Sequence, residues 1–167
     1  VKIEDEDNAG IVHDKLMAVG SKLVCKTVDM LLDGKVDAVD QAQFFTDEND
    51  LKAAPKIFKE TCRIDWNKSA KDVHNLIRGM SPYPTAWPEL QSEGKEPQMV
   101  KIYASQVKNN VQQKSVGAIL TDNKTYLYVV CADGCISITD IQFAGKRAMK
   151  IDEVLRGYKF DEGAYFK

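Results

Sequence analysis

The chain has 167 residues, of which 44% are hydrophobic and 29% charged, and its formal net charge is −2. This composition excludes generic disorder and suffices for one buried core, or for one domain with a piece of a second. No apolar run approaches the roughly 18 residues that span a bilayer, and no charged-then-apolar leader precedes the first elements. We therefore expect a cytoplasmic protein with no membrane partner.

Charge is distributed unevenly along the chain. Residues 1–50 carry 5 Lys or Arg against 12 Asp or Glu, residues 51–94 carry 7 against 5, and residues 95–167 carry 11 against 8. The second half is mildly basic, far below the dense positive charge of an autonomous nucleic-acid-binding domain. The pattern permits a phosphate-binding face there without requiring one.

The first predicted element after a strand-like start is one long helix at residues 11–32. Asp7 or Asn8 is positioned to cap its beginning, and Asp33 with Gly34 ends it. Its apolar residues form two stripes, which are typical of a helix that is covered on both sides. We expect that the surface covering it is missing here and that residues 12–32 allow self-association.

The patterns that follow are weaker until a second helix begins. Residues 36–45 are predicted as a short strand, 46–54 as a polar loop, and 56–66 as irregular and then extended. Asn67 or Ser69 caps the next helix.

That second helix is defined by its two ends. Ser69 and Asp72 have the spacing of a capping box, with Asp in place of the usual Glu. Gly79 marks its end, just after Arg78, whose cation suits the negative end of the helix dipole. The Ser-Pro-Tyr-Pro sequence at 81–84 predicts a proline-fixed turn with extended backbone.

Past residue 85 the apolar pattern changes to period two, which indicates strands. Turn signals separate five candidates, and Asp133 with Gly134 is a strong hairpin signal. Five short antiparallel strands predict a small barrel with the strand count of an OB fold. A short helix at 150–158 and a tail with exposed aromatic residues complete an α+β fold. The predicted strands cover residues 86–91, 98–108, 116–121, 125–132 and 135–143.

Several short motifs occur in order along the chain. They are Ala-Pro-Lys-Ile at 54–57, Ile-Asp-Trp at 64–66, His-Asn-Leu-Ile-Arg at 74–78, Pro-Tyr-Pro at 82–84 and Ala-Gly-Lys at 144–146. This order resembles that of the methionyl-tRNA formyltransferases. The Asp-Asn-Ala-Gly sequence near the start is similar to the last large helix of that family's catalytic domain. The resemblance covers the whole chain but only the C-terminal half of a family member.

The resemblance implies a fold made of three parts. Residues 1–50 would be the helical end of a Rossmann-like formyltransferase domain, residues 51–66 a linker, and residues 67–167 an OB-like antiparallel barrel domain with a leading helix. The family transfers a formyl group from 10-formyltetrahydrofolate to the amino group of methionyl initiator tRNA. Its catalytic Asn, His and Asp and its folate site lie upstream of the equivalent of Val1.

The family resemblance also sets expectations for sites and partners. We expect no catalytic, cofactor-binding or metal-binding residue in this chain, which alone would be inactive. Its partner would be initiator methionyl-tRNA, and the full-length protein would be a monomer. Because phosphate contacts need only a well-placed cation, basic side chains are the candidates, each with a solvated surface lysine or arginine as the alternative. The tRNA-binding candidates are Arg78, Lys101, Lys108, Lys114, Lys124, Lys146, Arg147 and Lys150.

Other chemically active residues have simpler interpretations. His13 with Asp14 is predicted to be a solvated surface pair, and His74 to border the packing of its helix. Cys131 and Cys135 have metal-like proximity, yet they flank a hairpin turn and lack the second pair that structural zinc requires. The tyrosines and Trp87 are able to stack bases, although their alternation with aliphatic residues is more easily explained by strand faces.

Two other functions are compatible with the sequence. A relative that formylates a nucleotide sugar, or handles formyl-folate, shares the same end-of-domain helix and a related barrel. A freestanding OB-like interaction module without catalysis is the third possibility. The Ser-Pro-Tyr-Pro turn and the basic residues at 146–150 favour the tRNA enzyme.

Overall fold

The computed structural model describes residues 1–47, 49, 51–108 and 114–167. Within them the chain forms a long helix followed by a mixed domain of helices and short strands. The α-helices are α1 (Ala9–Leu32), α2 (Ala70–Met80) and α3 (Ile151–Gly157). The strands are β1 (Glu89–Gln91), β2 (Gln98–Lys108), β3 (Ile119–Thr121), β4 (Leu127–Val130), β5 (Cys135–Phe143), β6 (Met149–Lys150) and β7 (Tyr165–Phe166).

Both long helices begin at the caps that the sequence predicts. The side chain of Asn8 accepts a hydrogen bond from the Ile11 backbone amide at 2.9 Å. Ser69 Oγ accepts from the Asp72 amide at 3.0 Å and donates to the Asp72 carboxylate at 2.7 Å. These bonds satisfy amides that have no partner within the helix. Helix α2 continues one residue past the predicted end, to Met80.

The strands form an antiparallel sheet in the order β3-β4-β5-β2-β1-β7, with β6 paired to β5. Its two edges then meet, because the Phe166 amide donates to the Gly117 carbonyl at 2.9 Å and the Ile119 amide to the Ala164 carbonyl at 3.3 Å. The result is a nearly closed barrel, which leaves little unpaired strand edge. The predicted α+β fold with an antiparallel barrel is confirmed.

The core lies inside this barrel and under α2. Ile102, Ile138 and Ile141 point inward from β2 and β5 and are fully buried. Helix α2 closes the core through its apolar face, which includes the buried Val73 and Ile77.

Residues before α2 also enter the core. Ile64 and Trp66 are each 3% exposed, and the Ile64 amide donates to the Trp87 carbonyl at 3.0 Å. Part of the predicted linker therefore packs as a wall of the barrel. The division of the chain at residues 50 and 66 stays a prediction.

Three local predictions were wrong. Residues 36–45 form no strand: Gln41–Phe44 is a 3₁₀ turn, started by the Asp40 carboxylate, which accepts from the Ala42 amide at 2.9 Å. A carboxylate that bonds the backbone two residues on favours a turn over a strand. Residues 81–84 form the predicted turn, closed by the Thr85 amide, which donates to the Met80 carbonyl at 2.8 Å, but the extended backbone predicted for the whole segment is recorded only at Ser81, with φ −96° and ψ 137°. The predicted loop at 46–54 includes residues 48 and 50, which lie outside the described residues.

The third error concerns the tail, which was predicted to expose its aromatic residues. Phe160 and Phe166 are buried, and Tyr165 alone of the three is exposed. Alternation along β7 turns Phe166 into the barrel and Tyr165 outward.

Helix α1 contrasts with the barrel because none of its residues is buried. Both of its apolar stripes face outward; Leu16 of one stripe is 53% exposed and Val24 of the other is 62% exposed. Among the described residues, no helix is long and apolar enough to cross a membrane.

Candidate nucleic-acid interface

Four of the predicted cations lie on β2, on β6 and on the loop that joins β5 to β6, which are neighbouring elements of the sheet. Lys101 lies opposite Gln142 in the β2–β5 ladder. The Gln142 amide donates to the Lys146 carbonyl at 2.7 Å, so the loop that carries Lys146 folds back beside β5. Lys150 on β6 lies opposite Asp140 of β5. We define the basic face as Lys101, Lys146, Arg147 and Lys150.

Two members of the basic face already have carboxylate partners. Lys150 Nζ lies 2.8 Å from Asp140 Oδ1, and Arg147 Nη2 lies 3.3 Å from Glu153 Oε2. The side chains of Lys150 and Arg147 are nevertheless 65% and 76% exposed. Exposed ion pairs contribute only about 0–1 kcal/mol, so exchanging such a partner for a phosphate costs little.

Two neutral polar side chains, Tyr103 and Gln142, lie beside the cations of this face. Tyr103 Oη donates to Gln142 Oε1 at 2.8 Å, and that side chain in turn holds the Lys146 loop. This chain of bonds orients the loop without using any of the positive charges.

The other lysine candidates lie elsewhere on the barrel. Lys108 ends β2, about 23 Å along the strand from Lys101 at 3.3 Å per residue, and lines a groove with Asp5, Lys71 and Asp133. Lys124 lies in the β3–β4 turn, whose amides at residues 124–126 bond the Asp122 carboxylate. The eight candidates therefore do not form one continuous surface.

Lys114 borders a second groove, of about 550 Å³. Tyr126 and Tyr128 form one wall, with ring centroids 4.5 Å apart. Asp161 and Glu162 also line the groove, which gives it a mixed charge. The two aromatic rings are presented beside acidic groups, an unfavourable setting for a phosphate backbone.

Arg78 is half-buried, and its guanidinium is hydrogen-bonded within the protein. Its Nη1 donates to the backbone carbonyls of Asp7 at 3.0 Å and Glu4 at 3.3 Å, and its Nε donates to the Asn75 side chain at 2.8 Å. The sequence could not indicate the bonds to Glu4 and Asp7, because these two acceptors lie more than 70 residues away and are backbone atoms.

Sequence reasoning passed over two lysines that support the tail. Lys95 Nζ lies 2.6 Å from Asp161 Oδ2, and Lys159 donates to the carbonyls of Asn123 and Leu155. Nothing in their local sequence distinguishes them from solvated lysines. Their bonds hold residues 158–163 against the barrel.

The histidines and cysteines have packed or solvated environments. His74 Nδ1 lies 3.0 Å from Ser105 Oγ between α2 and β2, and burial lowers its pKa. Cys131 and Cys135 are both buried, and burial raises the pKa of Cys131 to about 12. In the described ranges, no group of three or more His, Cys, Asp or Glu side chains is arranged to hold a metal ion.

Comparison with known proteins identifies the family. Residues 56–159, more than half of the chain, match the family model described as "Formyl transferase, C-terminal domain". The chain belongs to this formyl transferase family. The resemblance that the motifs at 54–84 and 144–146 predict is thereby confirmed.

Curated relatives of this formyl transferase chain match it along nearly its whole length. The methionyl-tRNA formyltransferase of Phocaeicola vulgatus is 48% identical over 159 residues, which are 95% of this chain and 49% of that protein. The methionyl-tRNA formyltransferase of Bacteroides fragilis is 46% identical over 167 residues, 100% of this chain and 51% of that protein. The chain thus spans about half the length of the curated relatives it matches.

A solved structure shares the fold of this formyl transferase chain. A variant of HypX from Aquifex aeolicus matches with a TM-score of 0.63 and 19% identity, over 96% of this chain and 28% of that one. At this identity the likeness concerns the fold alone.

Proposed function

We propose that this chain is the C-terminal half of a cytoplasmic methionyl-tRNA formyltransferase. The observation that carries the proposal is the 46–48% identity to relatives of that name over almost all of its residues. In this proposal the whole enzyme transfers a formyl group from 10-formyltetrahydrofolate to the amino group of methionyl initiator tRNA. Residues 1–50 end the catalytic domain, 51–66 are the linker, and 67–167 form the barrel domain.

The barrel holds the tRNA by its phosphates, and the chemistry takes place upstream of Val1. The exposure of the basic face supports this role, since long basic side chains in solvent bind phosphates by displacing counterions. Its two ion pairs are weak enough to open when a phosphate arrives. Lys108, Lys114 and Lys124 are peripheral contacts at most, because they lie on other parts of the barrel.

Holding the tRNA body contributes to the rate without any catalytic group in this half. Fixing two reactants in a productive geometry replaces a bimolecular encounter with an effectively unimolecular step. This half would therefore raise the concentration of the methionyl end near the catalytic domain and fix its orientation. The chain alone, without the upstream half, forms no formylmethionyl-tRNA from 10-formyltetrahydrofolate; a measured transfer would contradict this part of the proposal.

Salt-dependent binding tests the basic face directly. Fluorescently labelled initiator tRNA is titrated with the chain at about 50 to 300 mM KCl, and the slope of log affinity against log salt is measured. The variant Lys146→Ala/Arg147→Ala/Lys150→Ala is expected to make that negative slope shallower by about 2 to 3, at roughly 0.7–0.9 per phosphate contact.

A matched control keeps the same change in net charge. Lys35→Ala/Arg156→Ala/Lys167→Ala also removes three cations, of which Lys35 and Arg156 pair with Asp33 and Asp152 at 2.9 and 2.8 Å. This control is expected to keep most of the wild-type slope. Equal slopes in the two triple variants would sink the assignment of the basic face, and no salt-dependent binding by the wild type would sink tRNA binding by this half.

A further inference from the structure

The contacts of Arg78 form a joint between the start of α1 and the barrel. Its guanidinium bonds the carbonyls of Glu4 and Asp7, on the segment that leads into α1, at 3.3 and 3.0 Å. A third bond, to Asn75 at 2.8 Å, fixes the guanidinium on its own helix. A planar group with several donors in a fixed arrangement suits such simultaneous bonding better than a lysine does.

The two carbonyls that accept from Arg78 belong to a turn that has hydrogen bonds of its own. The Asp7 amide donates to the Glu4 carbonyl at 3.1 Å, which closes a turn. The Asp7 carboxylate, largely buried, accepts from the Glu4 amide at 2.8 Å and from Lys15 Nζ at 2.5 Å. The Lys15 bond lowers the pKa of Asp7, so the carboxylate keeps its charge and the turn its shape. Two carbonyls of the turn are thus held ready for one guanidinium.

A second contact locks the first turn of α1 against the end of α2. The Gly10 amide donates to the Ser81 carbonyl at 3.1 Å. A Cβ added at Gly10 would lie 2.7 Å from Pro82 Cδ, so only glycine permits this approach. Helix α1 therefore touches the barrel domain at its base by polar bonds and by close packing.

We propose that Arg78 is a positioning residue that sets the angle between α1 and the barrel. The proposal rests on the proposed function, under which α1 belongs to the end of the catalytic domain. The joint would then set how the catalytic domain faces the tRNA held on the barrel. It differs from the role that the sequence suggests for Arg78, a contact to a tRNA phosphate.

Because α1 is long, a small change of angle at its first turn moves its far end by several ångströms. Its 24 residues extend about 36 Å at 1.5 Å per residue, and none of them is buried. A tilt of about 10° at the base would move the far end by about 6 Å, by simple geometry on that length. Misplacement of reacting groups by about 1 Å strongly lowers the rate of a reaction. A variable angle between α1 and the barrel would therefore slow a transferase whose two domains must align the substrates.

The chain carries its own reporter for this angle. Cys25 lies in α1 and is exposed, whereas Cys62, Cys131 and Cys135 are buried. Burial raises the pKa of each buried thiol, which slows its reaction with a labelling reagent. A nitroxide at Cys25 and another at Glu96→Cys, on the exposed β1–β2 loop, allow the distance between α1 and the barrel to be measured by pulsed electron paramagnetic resonance.

We expect one narrow distance distribution in the unsubstituted joint and a distribution broadened by about 4 Å in Arg78→Ala, since Cys25 lies about 24 Å along α1. Protection of the Gly10 amide from hydrogen exchange should fall about tenfold or more as the charged bonds are lost. Free guanidinium at millimolar concentration should narrow the distribution again, because it refills the vacated site.

Two further variants separate positioning from general destabilisation. Gly10→Ala pushes the base of α1 off Pro82 without touching Arg78, and it should broaden the distribution without rescue by guanidinium. Arg156→Ala removes an exposed arginine that pairs with Asp152 and should leave the distribution narrow. A distribution in Arg78→Ala as narrow as that of Arg156→Ala would overturn the proposal.

The tRNA titration distinguishes this proposal from the proposed function. If Arg78 positions α1, Arg78→Ala keeps the wild-type salt slope. A slope reduced by about 0.7–0.9 would mean that Arg78 contacts a phosphate and would contradict the proposed role. The distance measurement needs no tRNA, so a chain that binds none would refute the proposed function while leaving the joint open to its own test.

Discussion

Trp66 and Phe166 stack with their ring centroids 5.8 Å apart and their planes inclined by 17°. The two residues are 100 positions apart, on the segment before α2 and on the last strand. Both are nearly completely buried, at 3% and 2% exposure. Their contact fastens the tail of the chain to the segment that precedes the barrel, and it coincides with the seam where β7 closes the sheet.

Truncation of the Phe166 side chain should therefore weaken the pairing by which β7 closes the barrel. We expect Phe166→Ala to lower the free energy of unfolding by about 3–5 kcal/mol, the cost of removing a buried aromatic side chain and leaving a cavity. Urea denaturation followed by tryptophan fluorescence measures the loss. Tyr165→Ala, at an exposed neighbour on the same strand, should cost far less, and equal losses would show that the stack does not anchor the tail.

Gly117 should tolerate no side chain for a reason that is specific to the same seam. Its φ is +82°, and an added Cβ would lie 2.3 Å from the Phe166 carbonyl oxygen. We expect Gly117→Ala to lower the unfolding free energy by roughly 2 kcal/mol or more beyond the 1–2 kcal/mol cost of the left-handed backbone alone. Gly145→Ala is the control, because its φ is +74° and no atom lies within 4 Å of the added Cβ. Similar losses in both variants would remove the seam from the explanation.

Stability should fall as the pH is lowered through the titration range of His74. Burial, followed by the nearby Arg78 charge, lowers the His74 pKa from its ordinary 6.5, and Glu6 and Asp5 oppose this only in part. The unfolded chain therefore binds a proton at His74 more readily than the folded chain does. The stability that uncharged His74 contributes is present above about pH 6.5 and is lost as the pH falls through the lower, folded pKa.

Urea midpoints between about pH 7 and pH 5 measure this loss. His74→Gln keeps a polar group near Ser105 but does not titrate, so it should flatten the dependence. His13→Gln removes an exposed histidine and should leave the dependence as in the wild type. Carboxylates such as Asp7 and Asp161, whose pKa values are lowered, remain charged over this range. Identical profiles for wild type and His74→Gln would contradict the prediction.

Local features of this chain were predictable because their causes lie within a few residues. The caps at Asn8 and Ser69 and the hairpin at Asp133 depend on side chains that bond or turn the adjacent backbone. Alternation of apolar residues likewise predicted β2 and β5 nearly to the residue. The motifs at 54–84 and 144–146 were specific enough to predict the family.

Features that depend on distant partners were missed or misassigned. The segment at 36–45 alternates like a strand, yet a local carboxylate turns part of it into a 3₁₀ helix. Phe166 looked exposed because the Gly117 carbonyl that its amide bonds lies 49 positions earlier. Of the eight candidate cations, four share a face, which follows from the β2–β5 register and the folding back of the loop at 146.

The sequence by itself determined the helix starts, the main strands, the hairpin and the family of this chain, because each is encoded by neighbouring residues or a motif. Only the tertiary structure decided that β7 closes the barrel at Gly117, that Lys101 and Lys146 lie on one face, and that Arg78 bonds the turn before α1. Such pairings join residues many positions apart, and packing and strand register select them instead of local preference.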